Sequence, residues 1–175
     1  MNIFFMGTPE FAVPTLDILN KNHNVIGIFT QPPRPSGRGM KEIKSSIQQY
    51  SEKNKLNFYT PNNLKNDETL KLLVRLNPDL IVVVAYGLLI PEVILKIPSY
   101  GCINGHASLL PKWRGAAPIQ RAIEAGDIKT GCTSMLMEKG LDTGPMIHKK
   151  EILIKMDNDV IDLFKSLSLL TAECL

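Results

Sequence analysis

At 175 residues and 44% apolar content, with 12 Gly and 12 Pro spread along it, the chain has room for one domain with a sizeable core and carries no disordered or fibrous bias. Its formal charge is only +3, and the whole excess falls between residues 31 and 44, where Arg34, Arg38, Lys41 and Lys44 face a single Glu42; a polyanion is drawn to one segment, not to the surface at large. Three widely spaced cysteines without a C-x-x-C pair argue against zinc and for a reducing compartment; with no basic leader region and no apolar run near the roughly 20 residues of a membrane span, a cytoplasmic protein without membrane association is expected.

Residues 2–6 form a short apolar run that predicts a buried strand. G-T-P-E then turns into a helix, with Thr8 as cap, Pro9 at the first helical position and Glu10 favourable to the dipole. Phe11, Leu16, Ile18 and Leu19 supply its apolar face, and a strand over 25–30 completes a βαβ unit, which implies parallel pairing. A dinucleotide fingerprint needs G-x-G-x-x-G at this first turn, and only Gly7 is present, so a nicotinamide cofactor is not expected.

The proline-rich and glycine-rich stretch 31–41 predicts a loop, because it can continue neither a helix nor a central strand. A helix over 41–53, a short strand at Phe58 and Tyr59, and an amphipathic helix over 67–76 with Leu70, Leu73, Val74 and Leu76 follow. L-I-V-V-V at 80–84 is the clearest buried parallel strand, and Ala85, Tyr86 and Gly87 at its carboxyl end are read as a pocket wall. After a short helix at 91–95 come a strand at 102–106, a helix from Pro118 to about Ala125, strands over 130–137 and 146–154, and a helix over 160–174 facing inward through Ile161, Phe164, Leu167 and Leu170. No Gly or Pro stop signal follows that helix, so the end reads as a cut. The alternation of strands and helices sets the fold class as α/β.

The chemistry concentrates in G-C-I-N-G-H-A-S-L-L-P at 101–111. Strand alternation puts Asn104 and His106 on one face, near the carboxyl end where open α/β sheets bind ligands. Asn104 can donate its amide to an oxygen gaining negative charge, and His106 can stabilise the same oxygen or carry a proton. Asp142, between two glycines in G-L-D-T-G, can orient the imidazole. Such a set suits tetrahedral chemistry at a carbonyl. A covalent intermediate is not expected: Ser108 lacks the G-x-S-x-G elbow, and Cys102 reads as core. His23 and His148 read as solvated and Asp127 as a turn residue, while Trp113 with Arg114 is either a stacking platform or a packing anchor.

Five segments together resemble the catalytic domain of the methionyl-tRNA formyltransferase family: M-G-T-P-E-F-A-V-P at 6–14, T-Q-P-P-R-P-S-G-R-G at 30–39, V-V-V-A-Y-G-L at 82–88, the run from G-C-I-N-G-H to I-Q-R-A-I at 101–123, and G-L-D-T-G at 140–144. N-x-H-x-S-L-L-P with a later Asp is shared with the wider folate-dependent formyltransferases. The W-R-G-A-A-P-I-Q-R run narrows the resemblance. It implies a Rossmann-like three-layer fold with a mostly parallel central sheet, with residues 1–175 as the catalytic domain; the family's C-terminal β-barrel, which helps hold tRNA, lies outside this sequence.

The activity implied is transfer of a formyl group from 10-formyltetrahydrofolate to initiator methionyl-tRNA, by a monomer without a metal. Asn104, His106 and Asp142 are then the catalytic trio, Ser108, Leu109, Leu110 and Pro111 line the folate site, and Gly37, Arg38 and Gly39 form the tRNA-contacting loop. Two departures stand out: Pro33 where an acidic residue is common, and Gly105 where a branched apolar residue is usual, which is expected to loosen the strand between Asn104 and His106. The alternatives are a formyltransferase for a small amine, such as an amino sugar nucleotide, and a non-catalytic folate-binding remnant.

Overall fold

The computed structural model describes residues 1–36 and 41–175. Its centre is a seven-stranded sheet built on β1 (Asn2–Gly7), β2 (Asn24–Phe29), β5 (Phe58–Tyr59), β6 (Leu80–Val84), β7 (Cys102–His106), β8 (Lys129–Leu136) and β9 (Met146–Leu153), in the order β5-β2-β1-β6-β7-β8-β9. The first five positions are parallel, and β8 and β9 are each antiparallel to their neighbour, so the sheet is mostly parallel.

Alternation divides the core into the two cores of a three-layer sandwich. Ile3 and Phe5 of β1 and Val82 and Val84 of β6 face one side, with Leu16 of α1 (Val13–Asn22), Ile47 of α2 (Ser46–Lys53), and Leu163 and Leu167 of α6 (Val160–Cys174). Phe4 and Met6, with Ile81 and Val83, face the other, with Leu73 of α3 (Asp67–Leu76) and Ile94 of α4 (Glu92–Leu95). Strands covered on both sides have no polar face, which is why these runs read so plainly as buried parallel strands. Among the described residues no helix is long and apolar enough to cross a membrane.

Several expected elements shift. Thr8 does not cap a helix; its Oγ1 donates to the Tyr86 carbonyl at 2.8 Å, and a 3-10 turn at Glu10–Ala12 precedes α1. Three residues of the predicted loop and the start of the predicted helix at Lys41 instead form a separate ribbon, β3 (Arg34–Ser36) against β4 (Lys41–Ile43). Pro35 is tolerated there because a two-stranded ribbon leaves one side of each strand unpaired. The helix begins only at Ser46, where the Ser45 side chain accepts from the Gln48 amide at 2.9 Å. Ile18 and Ile161, assigned to buried faces, are 38% and 61% exposed. On α6 the buried stripe runs through Leu163, Leu167, Ser168 and Thr171, and Ser168 Oγ donates to the Phe11 carbonyl at 2.8 Å.

Gly105 pairs with Ser134 in the ladder, and a Cβ there would lie 2.6 Å from Thr171 Cγ2 and 2.8 Å from Leu175 Cδ1. The missing side chain leaves no gap. Helix α6 fills its place and braces β7 from behind.

Candidate active site

The sheet order puts β1 between β2 and β6, so the chain leaves β1 toward one side and β6 toward the other. Open α/β sheets bind ligands at such a divergence. Here the loops after the two strands are tied together: Thr8 Oγ1 and Gln31 Nε2 both donate to the Tyr86 carbonyl, at 2.8 and 3.3 Å. A cleft of about 590 Å³ opens there, with Asn104, His106 and Asp142 in its lining.

Asn104 and His106 project from one face of β7, and the loop between β8 and β9 carries Asp142 to both. Asn104 Nδ2 lies 3.5 Å from Asp142 Oδ1, and His106 Nδ1 lies 3.5 Å from Asp142 Oδ2. Both are long for hydrogen bonds. The firm contact to the carboxylate is the Gly115 amide, which donates to Oδ2 at 2.8 Å. Asp142 has φ 50°, a left-handed conformation that Asp adopts more readily than most residues. On the far side of the ring, His106 Nε2 donates to the Trp113 carbonyl at 2.8 Å. A carbonyl only accepts, so Nε2 carries the proton and Nδ1 faces Asp142.

Ala85, Tyr86 and Gly87 line the cleft, joined by Leu88, Leu89 and Ile90, by Met137 and Leu141, and by Phe11 and Phe164. The apolar run after β6 offered a signal that the sequence reading missed. Phe164 gave none, because its approach depends on how α6 crosses the sheet. Ser108 to Pro111 are not among the lining residues. They form the turn behind His106: Ser108 Oγ donates to the Lys112 carbonyl at 2.5 Å, Thr133 Oγ1 donates to the Ser108 carbonyl at 2.7 Å, and the Leu110 amide donates to Thr133 Oγ1 at 3.0 Å. Gly37, Arg38 and Gly39 lie outside the described residues. The ribbon that flanks them borders a second cavity of about 480 Å³, lined by Gln31, Arg34, Lys44 and Ser45 and sharing Pro9, Ala85, Tyr86 and Gly87 with the first.

Cys102 is buried, and burial pushes its thiol up to about 12, so it supplies no thiolate near neutral pH. Among the described residues no group of three or more His, Cys, Asp or Glu is placed to hold a metal ion.

A family model described as formyl transferase matches residues 1–174. A methionyl-tRNA formyltransferase of Idiomarina loihiensis is 48% identical over 176 positions, which cover 100% of this chain and 56% of that protein. One from Ectopseudomonas mendocina is 53% identical over 150 positions, covering 85% of this chain and 48% of that protein. The chain thus spans about half the length of these curated relatives. The crystal structure of a phosphoribosylglycinamide formyltransferase from Streptococcus pneumoniae superposes with a TM-score of 0.80 at 16% identity, covering 98% of this chain and 92% of that one, a likeness of fold.

Proposed function

The chain belongs to the formyl transferase family, and on that premise we propose that it moves a formyl group from 10-formyltetrahydrofolate to the α-amine of methionine on initiator tRNA. The observation that carries this reading is the convergence of Asn104 and His106 on the two oxygens of Asp142 within a largely apolar cleft. At about 590 Å³ the cleft lies within the range of organic ligand sites, and its Leu, Ile and Phe walls suit a flat ring system.

The folate supplies the formyl carbon. The amine, which titrates near roughly 8 when free, attacks as its neutral form. Asn104 Nδ2 donates to the formyl oxygen as charge builds on it, and His106 adds positive charge through Nδ1. Asp142 holds a proton on that nitrogen and accepts the one released by the amine, which passes to the folate nitrogen as the bond between that nitrogen and the formyl carbon breaks. Ser108 to Pro111 support this site by fixing the turn behind His106. The acceptor end of the tRNA enters by the second cavity, where Arg34 and Lys44 lie, and Arg38 docks its phosphates without reading sequence. All these groups belong to one chain, so no second copy is required. Three free thiols support a cytoplasmic setting.

The test is formyl transfer to initiator methionyl-tRNA beside a panel of small amines. Asn104→Ala and His106→Ala should each lower turnover roughly 100- to 1,000-fold. Turnover near wild type in either variant, or a small amine formylated in preference to the tRNA, overturns the proposal.

A further inference from the structure

Resting on this reading of His106, we infer that Trp113 and Asp127 are positioning residues that hold the imidazole with its Nε2 protonated and its Nδ1 turned to the cleft. The Trp113 carbonyl is the only acceptor found for Nε2 among the described residues, at 2.8 Å. Its direction is not set by regular structure. Trp113 lies between β7 and α5 (Pro118–Glu124), at φ 59°, a left-handed conformation disfavoured for a bulky residue. Something must hold the backbone there, and the indole does so: Trp113 Nε1 donates to Asp127 Oδ2 at 2.8 Å.

Asp127 is itself fixed from both sides. Its amide donates to the Ala122 carbonyl at 3.0 Å, which ties it to the end of α5, and Ala122 and Ile119 anchor that helix in the interior. Its other oxygen accepts from Lys112 Nζ at 2.5 Å, and the same ammonium sits 5.2 Å from the centroid of the Trp113 ring. The path from the core to the imidazole therefore runs through α5, Asp127, the indole and one carbonyl. Two residues beyond Trp113, the Gly115 amide holds Asp142, so a single loop sets the partners of both ring nitrogens. Releasing the indole frees the carbonyl to turn, so the neutral ring can shift its proton to Nδ1, and the cation that His106 presents through Nδ1 loses the acceptor that steadies it at Nε2.

The test is the nitrogen NMR signature of His106 in the whole protein, with turnover measured beside it. The parent should show the neutral ring as a single Nε2-protonated tautomer. Trp113→Phe, which keeps the ring but not the N–H, and Asp127→Ala should each give mixed tautomers and roughly 10- to 100-fold lower turnover, with the folate KM little changed. Asp127→Asn, whose amide oxygen can still accept from the indole, should restore the single tautomer. A single Nε2-protonated tautomer persisting in both Trp113→Phe and Asp127→Ala overturns the inference. The spectrum needs no formyl transfer, so an inactive parent whose variants still mix tautomers would sink the proposed activity and leave the positioning role standing.

Discussion

Filling the position of Gly105 tests how tightly the strand that carries Asn104 and His106 is braced. Gly105→Ala adds one methyl group 2.6 Å from Thr171 Cγ2 and 2.8 Å from Leu175 Cδ1. The leucine contact is with the far end of a flexible side chain and can yield. The threonine methyl is carried by the backbone of α6 and cannot, so the helix or β7 must move by most of an ångström. Overpacking of this kind costs about 1–3 kcal/mol. Alanine returns about 0.5–1 kcal/mol by restricting the unfolded chain. The net loss is about 0–2.5 kcal/mol, which lowers Tm by up to about 10 °C for a chain of this size. Thermal melts of Gly105→Ala, Thr171→Ser and the double variant form a cycle. Removing the Thr171 methyl should relieve at least half of the cost, because the two side chains meet directly. If Gly105→Ala melts above the parent, or costs the same when combined with Thr171→Ser, then α6 does not fill this space as described. Turnover should fall with Tm, since β7 carries Asn104 and His106 on its opposite face.

Asp142→Asn keeps a residue that tolerates the left-handed backbone and can accept from Gly115, but removes the charge facing His106; turnover should fall with Tm nearly unchanged. Asp142→Ala should lose both activity and about 1–2 kcal/mol of stability, and equal melting of the two variants would count against the strain assignment. Arg38→Ala should weaken tRNA use and flatten its salt dependence while folate binding stays intact; equal losses toward both substrates would contradict the docking role. The thiols of Cys102, Cys132 and Cys174 are all buried, and burial above all raises Cys102 and Cys132 to about 12. None should react with a disulfide reagent at mildly alkaline pH until denaturant is added, and a fast-reacting thiol in the folded protein would contradict that packing.

The strands of the parallel core were legible because burial on both faces leaves their sequences almost wholly apolar, as at Leu80–Val84. The shared face of Asn104 and His106 followed from alternation alone. What escaped depended on contacts between distant segments. The ribbon Arg34–Ser36 with Lys41–Ile43 looked like loop and helix because its strands are three residues long and carry no alternating pattern. Helix α6 has more apolar positions than one face can bury, so periodicity alone could not choose between Ile161 and Leu163. Ser168, polar and nearly buried, belongs to the inward stripe because the Phe11 carbonyl waits there as an acceptor. Asp127 read as a turn residue and Trp113 as either a stacking platform or a packing anchor, because nothing in their spacing announces that one carbonyl reaches His106.

Backbone strain links these observations to the chemistry. Among the described residues, six other than glycine have positive φ, and four of them, Ala85, Trp113, Ala117 and Asp142, lie in or directly behind the cleft. Left-handed backbone costs roughly 1–2 kcal/mol at Ala85, Trp113 and Ala117 and less at Asp142, so the first three above all persist only where neighbouring bonds over-determine them. Those bonds can be named. Two donors grip the carbonyl of Tyr86 beside Ala85, Asp127 holds the indole of Trp113, the Arg121 amide donates to the Ala117 carbonyl at 3.1 Å, and the Gly115 amide holds Asp142. The sharp turns keep the carboxyl ends of the strands open. Their tethers come from the loops and from α5, so the geometry of Asn104, His106 and Asp142 rests on the segments that wrap the cleft as much as on the sheet that carries them.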